Sequence, residues 1–253
     1  MNRKIISSYL ILILLSGILF CVGIANLYQI RYIRKLDKNP ILEDAFRAQE
    51  LDASFLNDLY HSKDIGHDVA LYLLNKRYKQ IDESVWEKGK NWDAYLFSCR
   101  AIWNDLKCFP LEKGVSSYEN SWMYERTYGG KRSHEGCDLM TKEDEAGKYP
   151  VYSMTDGIVS NMGWLEKGGY RIGITSPSGG YFYYAHLESY VDIKEGDKVK
   201  AGQILGYAGD TGYGPEKTTG KFPVHLHLGI YIYSEGKEIS VNPYWILRYL
   251  EDK

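Results

Sequence analysis

Cysteine is scarce and badly placed for cross-linking. Of the four in this 253-residue chain, Cys21 sits in an apolar run, leaving Cys99, Cys108 and Cys137. An odd number without close pairs excludes a disulfide framework and a cysteine zinc knuckle. On one straight helix Cys99 and Cys108 would stand ~13 Å apart along the axis, so a bridge requires a break between them. Free thiols are expected. Charge of one sign is also lacking: 31 basic and 33 acidic residues leave a net −2, which gives no electrostatic reason to bind nucleic acid. Proline is absent between Pro40 and Pro110, so that stretch is free to be helical. No charged residue occurs from Ile5 to Ile30.

That uncharged run is the first positive feature. Its apolar core, Tyr9 to Ala25, with polar shoulders approaches the ~30 Å of a bilayer's hydrocarbon at ~1.5 Å per residue. Residues 1–30 therefore read as a transmembrane anchor, tying the chain to a membrane. Arg3 and Lys4 before it nearly balance Arg31, Arg34 and Lys35 after it, so charge does not orient it. A cleavable signal is the rival, with small residues at Gly23-Ile24-Ala25.

Residues 31–115 read as a helical region. Leu56, Leu59, Val69, Leu73 and Leu74 fall among charged residues, and Trp86, Trp92, Tyr95, Phe97 and Trp103 follow. His61 and His67, six apart and not on one helical face, are expected at the surface. Pro110 to Ser121 reads as a linker or domain boundary. From residue 116 the pattern changes. The chain's 25 glycines and 23 tyrosines lean toward turn-rich β structure. Tyr149–Gly157, Arg171–Thr175, Tyr181–His186 and Val224–Tyr233 alternate as half-buried strands, and Asn242-Pro243 opens a terminal helix. The expected class is α+β: a membrane helix, a helical intermediate region and an antiparallel β domain over residues 116–253.

Four of the six histidines lie in His134-Glu-Gly-Cys-Asp138, Tyr184-Ala-His186-Leu187 and His225-Leu-His227. Histidine and aspartate are the ligands of zinc sites that keep one position open for water. A period of two puts His225 and His227 on one strand face, where one can bind metal and the other can address its water. On a straight strand His134 and Asp138 would be ~13 Å apart, so a bend is required, and Gly136 is placed for it. A rival has His134-Glu135 opening a helical zinc motif with Glu135 as the base. The glycine-rich approach at Tyr128-Gly-Gly-Lys-Arg132 speaks against a helix there. Cys137, beside a ligand, is expected to pack rather than coordinate.

Together these motifs resemble lysostaphin-type zinc peptidoglycan endopeptidases, from about Tyr124 to Leu247. The matching pieces are His134-x-Gly-x-Asp138, Pro150 to Gly157, Tyr184 to Leu187, Lys194 to Gly206, Gly209-Asp-Thr-Gly212 and His225-x-His227. The resemblance implies an antiparallel β groove and a Zn²⁺ ion held by His134, Asp138 and His227. His186 and His225 would flank the attacking water, and Tyr128, with Tyr124 as the alternative, would be an oxyanion partner. It further implies a membrane-anchored hydrolase of bacterial peptidoglycan peptides, its C-terminal domain outside the cytoplasm, or a secreted one if the first segment is cleaved. Two other readings stand beside it. One is a silent relative that binds wall or activates a partner. The other is a lipoyl-like hairpin, for which Glu195-Gly-Asp-x-Val-x-x-Gly202 also serves, although it leaves the histidines without a role. The segment Tyr213 to Pro223 is longer than the family pattern and is expected to reshape one groove wall. Residues 31–115 lie outside the resemblance.

Overall fold

A computed structural model describes residues 3–36, 44–78, 82–128, 130–234 and 236–253. The uncharged run forms one helix, α1 (Arg3–Leu36), whose 26-residue span Tyr9–Arg34 has a mean hydropathy of 2.6. By length and composition it can cross a membrane, and no part of its most apolar window is covered by protein. Its C-terminal end is tied down. Leu36 is buried, its carbonyl accepts from Asn91 Nδ2 at 3.0 Å, and the Tyr32 ring meets Trp86 edge-on.

The expected helical stretch is broken into α2 (Asp44–Arg47), α3 (Ala53–Leu59), α4 (Ile65–Tyr78), α5 (Glu83–Trp86) and α6 (Trp92–Trp103). Short polar side chains make the breaks by competing for backbone groups. Asp64 Oδ1 accepts from the His67 N–H at the start of α4, and Asp82 caps α5 through the Ser84 N–H. Trp86 and Trp103 are fully buried, and Trp103 Nε1 donates to the equally buried Gln49 Oε1 at 2.8 Å. Trp103→Ala should therefore cost about 3–5 kcal/mol from the cavity and the orphaned amide. Denaturant unfolding is the measurement, and a change below about 1 kcal/mol would contradict this packing.

The strands are β1 (Ser116–Ser117), β2 (Glu125–Arg126), β3 (Arg132–Ser133), β4 (Cys137–Thr141), β5 (Pro150–Tyr152), β6 (Gly157–Leu165), β7 (Gly169–Thr175), β8 (Tyr181–Tyr190), β9 (Lys198–Val199), β10 (Ile204–Ala208), β11 (His225–Ser234) and β12 (Lys237–Val241). A terminal helix, α7 (Tyr244–Asp252), follows Asn242, whose Oδ1 accepts from the Tyr244 N–H. Among the described residues the main sheet runs β1-β4-β11-β8-β7-β6-β9, antiparallel throughout, with β12 on β11 and β10 bridging β8 to β5. β2 and β3 form a separate hairpin.

Alternation divides the sheet. Leu226, Leu228, Ile230 and Ile232 of β11, with Phe182 and Tyr184 of β8, turn to a buried face. There they share one hydrophobic cluster with α6 and α7. Tyr249 of α7 stacks on Tyr60 at 5.2 Å and meets Trp103 at 5.9 Å. The change of pattern near residue 115 is thus a change of secondary structure within a continuous core. The expected linker at Pro110 to Ser121 is corrected by the same packing. Leu111 is buried, the Pro110 carbonyl accepts from Tyr152 N–H, and β1 pairs with β4. Its apolar Leu111, Val115 and Tyr118 outweigh the turn residues around them. The opposite sheet face carries the histidines.

Candidate metal centre

Register brings the histidine motifs together. His227 on β11 lies opposite Asp138 on β4 and opposite Ala185 on β8, one residue before His186. His134 reaches the same point because the chain bends at Gly136 just before β4. Space matters there as much as the bend: a Cβ on Gly136 would lie 2.5 Å from Cε1 of His227. The structure places Glu135 on non-helical chain, which removes the helical zinc motif as an arrangement of this segment.

Three donor atoms converge. His134 Nε2 lies 3.0 Å from Asp138 Oδ1 and 3.1 Å from His227 Nδ1, and His227 Nδ1 lies 2.8 Å from Asp138 Oδ1. Ligands ~2.0–2.1 Å from a tetrahedral ion would be ~3.3 Å apart, so the set fits a small cation. The outer shell supports this use of Nε2. His134 Nδ1 is met from outside by the Ser121 carbonyl at 3.2 Å, the Ser121 hydroxyl at 3.1 Å and Arg126 Nη2 at 3.1 Å, contacts that orient the ring with Nε2 turned inward. Burial lowers the His134 pKa and keeps that ring neutral. Burial alone would raise Asp138, but the close approach of the His134 and His227 imidazoles to its Oδ1 holds its carboxyl below the usual range, as a carboxylate.

Arg126, absent from the sequence-based candidates, donates from Nη2 to Asp138 Oδ2 at 2.6 Å. It fixes the oxygen that faces away from His227. The β2–β3 hairpin carries it there, pairing Arg126 with Arg132, and no spacing in the sequence announces that approach.

His186 and His225 stand beside this cluster with ring centroids 4.8 Å apart. His225 Nε2 is 3.8 Å from Asp138 Oδ1. Each ring is oriented by a carbonyl: His186 Nδ1–H donates to Thr211 at 2.7 Å and His225 Nδ1–H to Pro223 at 2.8 Å. Both Nε2 lone pairs are thereby left for the cleft. Burial, followed for His186 by the neighbouring histidine charges, drives its pKa well down, and burial lowers His225 too. His186 also adopts a left-handed φ of +61° inside β8, strain held by its N–H bond to Gly168 at 2.8 Å.

The long segment 213–223 forms a wall over these rings. Phe222 lies 4.5 Å from His186 and 5.0 Å from His225, and Tyr213 packs on Phe222 at 4.9 Å. Tyr128 is behind that wall. Its ring stacks on Tyr213 at 4.1 Å, and its hydroxyl donates to the Tyr213 carbonyl. Tyr213 therefore stands between Tyr128 and the histidines. Tyr124 is exposed and held through its backbone, its N–H donating to the Ser121 carbonyl and its carbonyl accepting from the His134 N–H. His61 is exposed and His67 is spent on Glu83 at 2.6 Å in the helical region. All four cysteines are free thiols, and buried Cys137 points its Sγ at the Glu119 carbonyl.

The cleft around these groups has a volume of about 880 Å³, large enough for an extended peptide of a few residues. Comparison with known proteins gives a consistent picture. The family model described as "Peptidase family M23" matches residues 132–243. An L-Ala–D-Glu endopeptidase of Bacillus subtilis is 43% identical over 142 residues, covering 55% of this chain and 42% of that protein. Glycyl-glycine endopeptidase ALE-1 of Staphylococcus capitis is 33% identical over 119 residues, covering 42% and 32%. The chain thus spans less than half the length of these curated relatives. A crystal structure from Ruminococcus gnavus, provisionally named glycyl-glycine endopeptidase lytM, has 49% identity and a TM-score of 0.79. The match covers 87% of this chain and 96% of that one.

Proposed function

The chain belongs to peptidase family M23, and on that premise we propose that it is a zinc endopeptidase that hydrolyses peptide bonds of bacterial peptidoglycan. The observation that carries the reading is the convergence of His134 Nε2, Asp138 Oδ1 and His227 Nδ1, which would hold the ion. Zinc, when bound there, supplies a Lewis acid for the scissile carbonyl and lowers the pKa of water toward ~7. The remaining chemistry belongs to side chains. His186 and His225, neutral and with Nε2 facing the cleft, accept the proton of the attacking water and return it to the departing amine. Once protonated, either imidazole donates to the developing oxyanion. Phe222 and Tyr213 cover both rings and strengthen these interactions by excluding water. Tyr128 enters as the support behind Tyr213, since its hydroxyl is already engaged.

Arg126 holds the second oxygen of Asp138 and Ser121 holds His134, so both ligands are oriented before the ion arrives. The apolar helix α1 would anchor the chain in the bacterial cell membrane, with the cleft on the side where peptidoglycan lies. The amino terminus of the protein recovered from membranes distinguishes this from a cleaved signal.

Digesting purified peptidoglycan with the full chain in detergent and identifying the new amino termini by mass spectrometry tests the function. New termini at one type of peptide bond are expected, and an unchanged wall would leave a silent, wall-binding protein. Glu135 is a bystander in this mechanism. Its side chain is 47% exposed and bonded to Arg47 at 3.2 Å. Glu135→Gln should retain most activity. A thousandfold loss with metal still bound, the scale of a missing catalytic group, would make Glu135 the base instead.

A further inference from the structure

Beyond the histidines the cleft continues over a floor of tyrosines. Tyr181 and Tyr183 of β8 and Tyr231 of β11 share the face of His227, and register sets Tyr231 opposite Tyr181 and Gly229 opposite Tyr183. The rings lie down on glycines. A Cβ on Gly173 would meet the Tyr181 hydroxyl at 1.9 Å, and one on Gly229 would meet the Tyr231 ring at 2.7 Å. The Tyr183 ring reaches to 6.1 Å from that of His227, so this floor adjoins the metal centre.

Arg171 of β7 lines the same end. Its cation has no counter-ion among the described residues, and its Nη1 is a buried donor without a hydrogen-bond partner. Of the acids lining the cleft, Asp138 is paired with Arg126 and Glu135 with Arg47, while Glu238 keeps its charge beside the tyrosine floor, accepts from the Tyr233 hydroxyl at 3.4 Å and makes no ion pair with Arg171. Lys167, exposed on the same cleft, adds positive charge. A buried guanidinium donor left unmade is costly, and a planar fork in a partly covered site matches a carboxylate.

We propose that Arg171 and the tyrosine floor form a subsite for a free carboxylate of the peptide, close to the bond that is cut. The inference rests on the endopeptidase reading and deepens it: the substrate is an acidic peptide, such as a peptidoglycan stem carrying glutamate, rather than an uncharged glycine bridge. Arg171 donates to the carboxylate from its guanidinium fork, and the tyrosine faces carry the neighbouring aliphatic groups.

The test uses the full chain in detergent and two synthetic stem peptides that differ only in a free or amidated glutamate α-carboxylate. Wild type should cleave the free acid about tenfold to a hundredfold better in kcat/KM, the scale of one charged hydrogen bond. Arg171→Gln should erase that preference by slowing the acid alone, with zinc content unchanged, and Arg171→Lys should restore part of it. Equal loss on both peptides, or no loss on either, overturns the proposal. If wild type cuts neither peptide, digestion of purified peptidoglycan decides the endopeptidase reading, and calorimetric binding decides the subsite separately. Tighter binding of the acid that disappears in Arg171→Gln supports it, and equal binding of both peptides overturns it.

Discussion

Replacing His225 or His186 with alanine is expected to lower hydrolysis by about a hundredfold or more while the protein keeps its zinc. Neither residue belongs to the converging set, because His225 Nε2 stands 3.8 Å from Asp138 Oδ1 while the three ligand atoms lie 2.8 to 3.1 Å apart. Each ring instead has its Nδ1 proton committed to a backbone carbonyl, which leaves a single basic nitrogen toward the cleft. Alanine removes that nitrogen and leaves the metal's neighbours in place. His186→Ala carries a second consequence, since its φ of +61° is held by surrounding structure rather than by residue preference. Circular dichroism should accompany its activity and metal analysis. Retained activity in both variants would leave the proton-transfer role without a residue.

The opposite pattern is expected when a ligand is removed. His227→Ala and Asp138→Ala should each weaken zinc binding by more than about a hundredfold, above the range seen for outer-shell losses, and activity should fall with it. Asp138 is the more severe case because both histidine ligands and Arg126 are oriented by its carboxylate. Without it, Arg126 is left as a cation beside the ion. If His227→Ala keeps zinc while His225→Ala loses it, ligand and catalyst within the strand pair are reversed.

Much of this arrangement was legible in residue spacing. The two-residue period of His225 and His227 sufficed to place both on one face, and β11 bears this out with leucines and isoleucines alternating behind them. The need for a bend between His134 and Asp138 followed from strand length alone. Other parts depended on returns of the chain that local pattern does not encode. Arg126 reaches Asp138 only through the β2–β3 hairpin, and Tyr213 and Phe222 reach the histidines only because a long loop folds back over them. Composition misled at Pro110 to Ser121, where turn residues flank the buried Leu111 and an edge strand. The helical region gave its apolar positions correctly but not its breaks, which rest on single capping contacts such as Asp82 to Ser84.

Everything proposed for the cleft depends on three side chains, from β4, β11 and the bend before β4, holding one zinc ion. Metal analysis of the purified full chain, with Asp138→Ala beside it, tests this most directly. About one zinc per chain is expected in the wild type, lost on chelation and regained on adding zinc, with almost none in Asp138→Ala. Well-folded wild-type protein that takes up no zinc would contradict it.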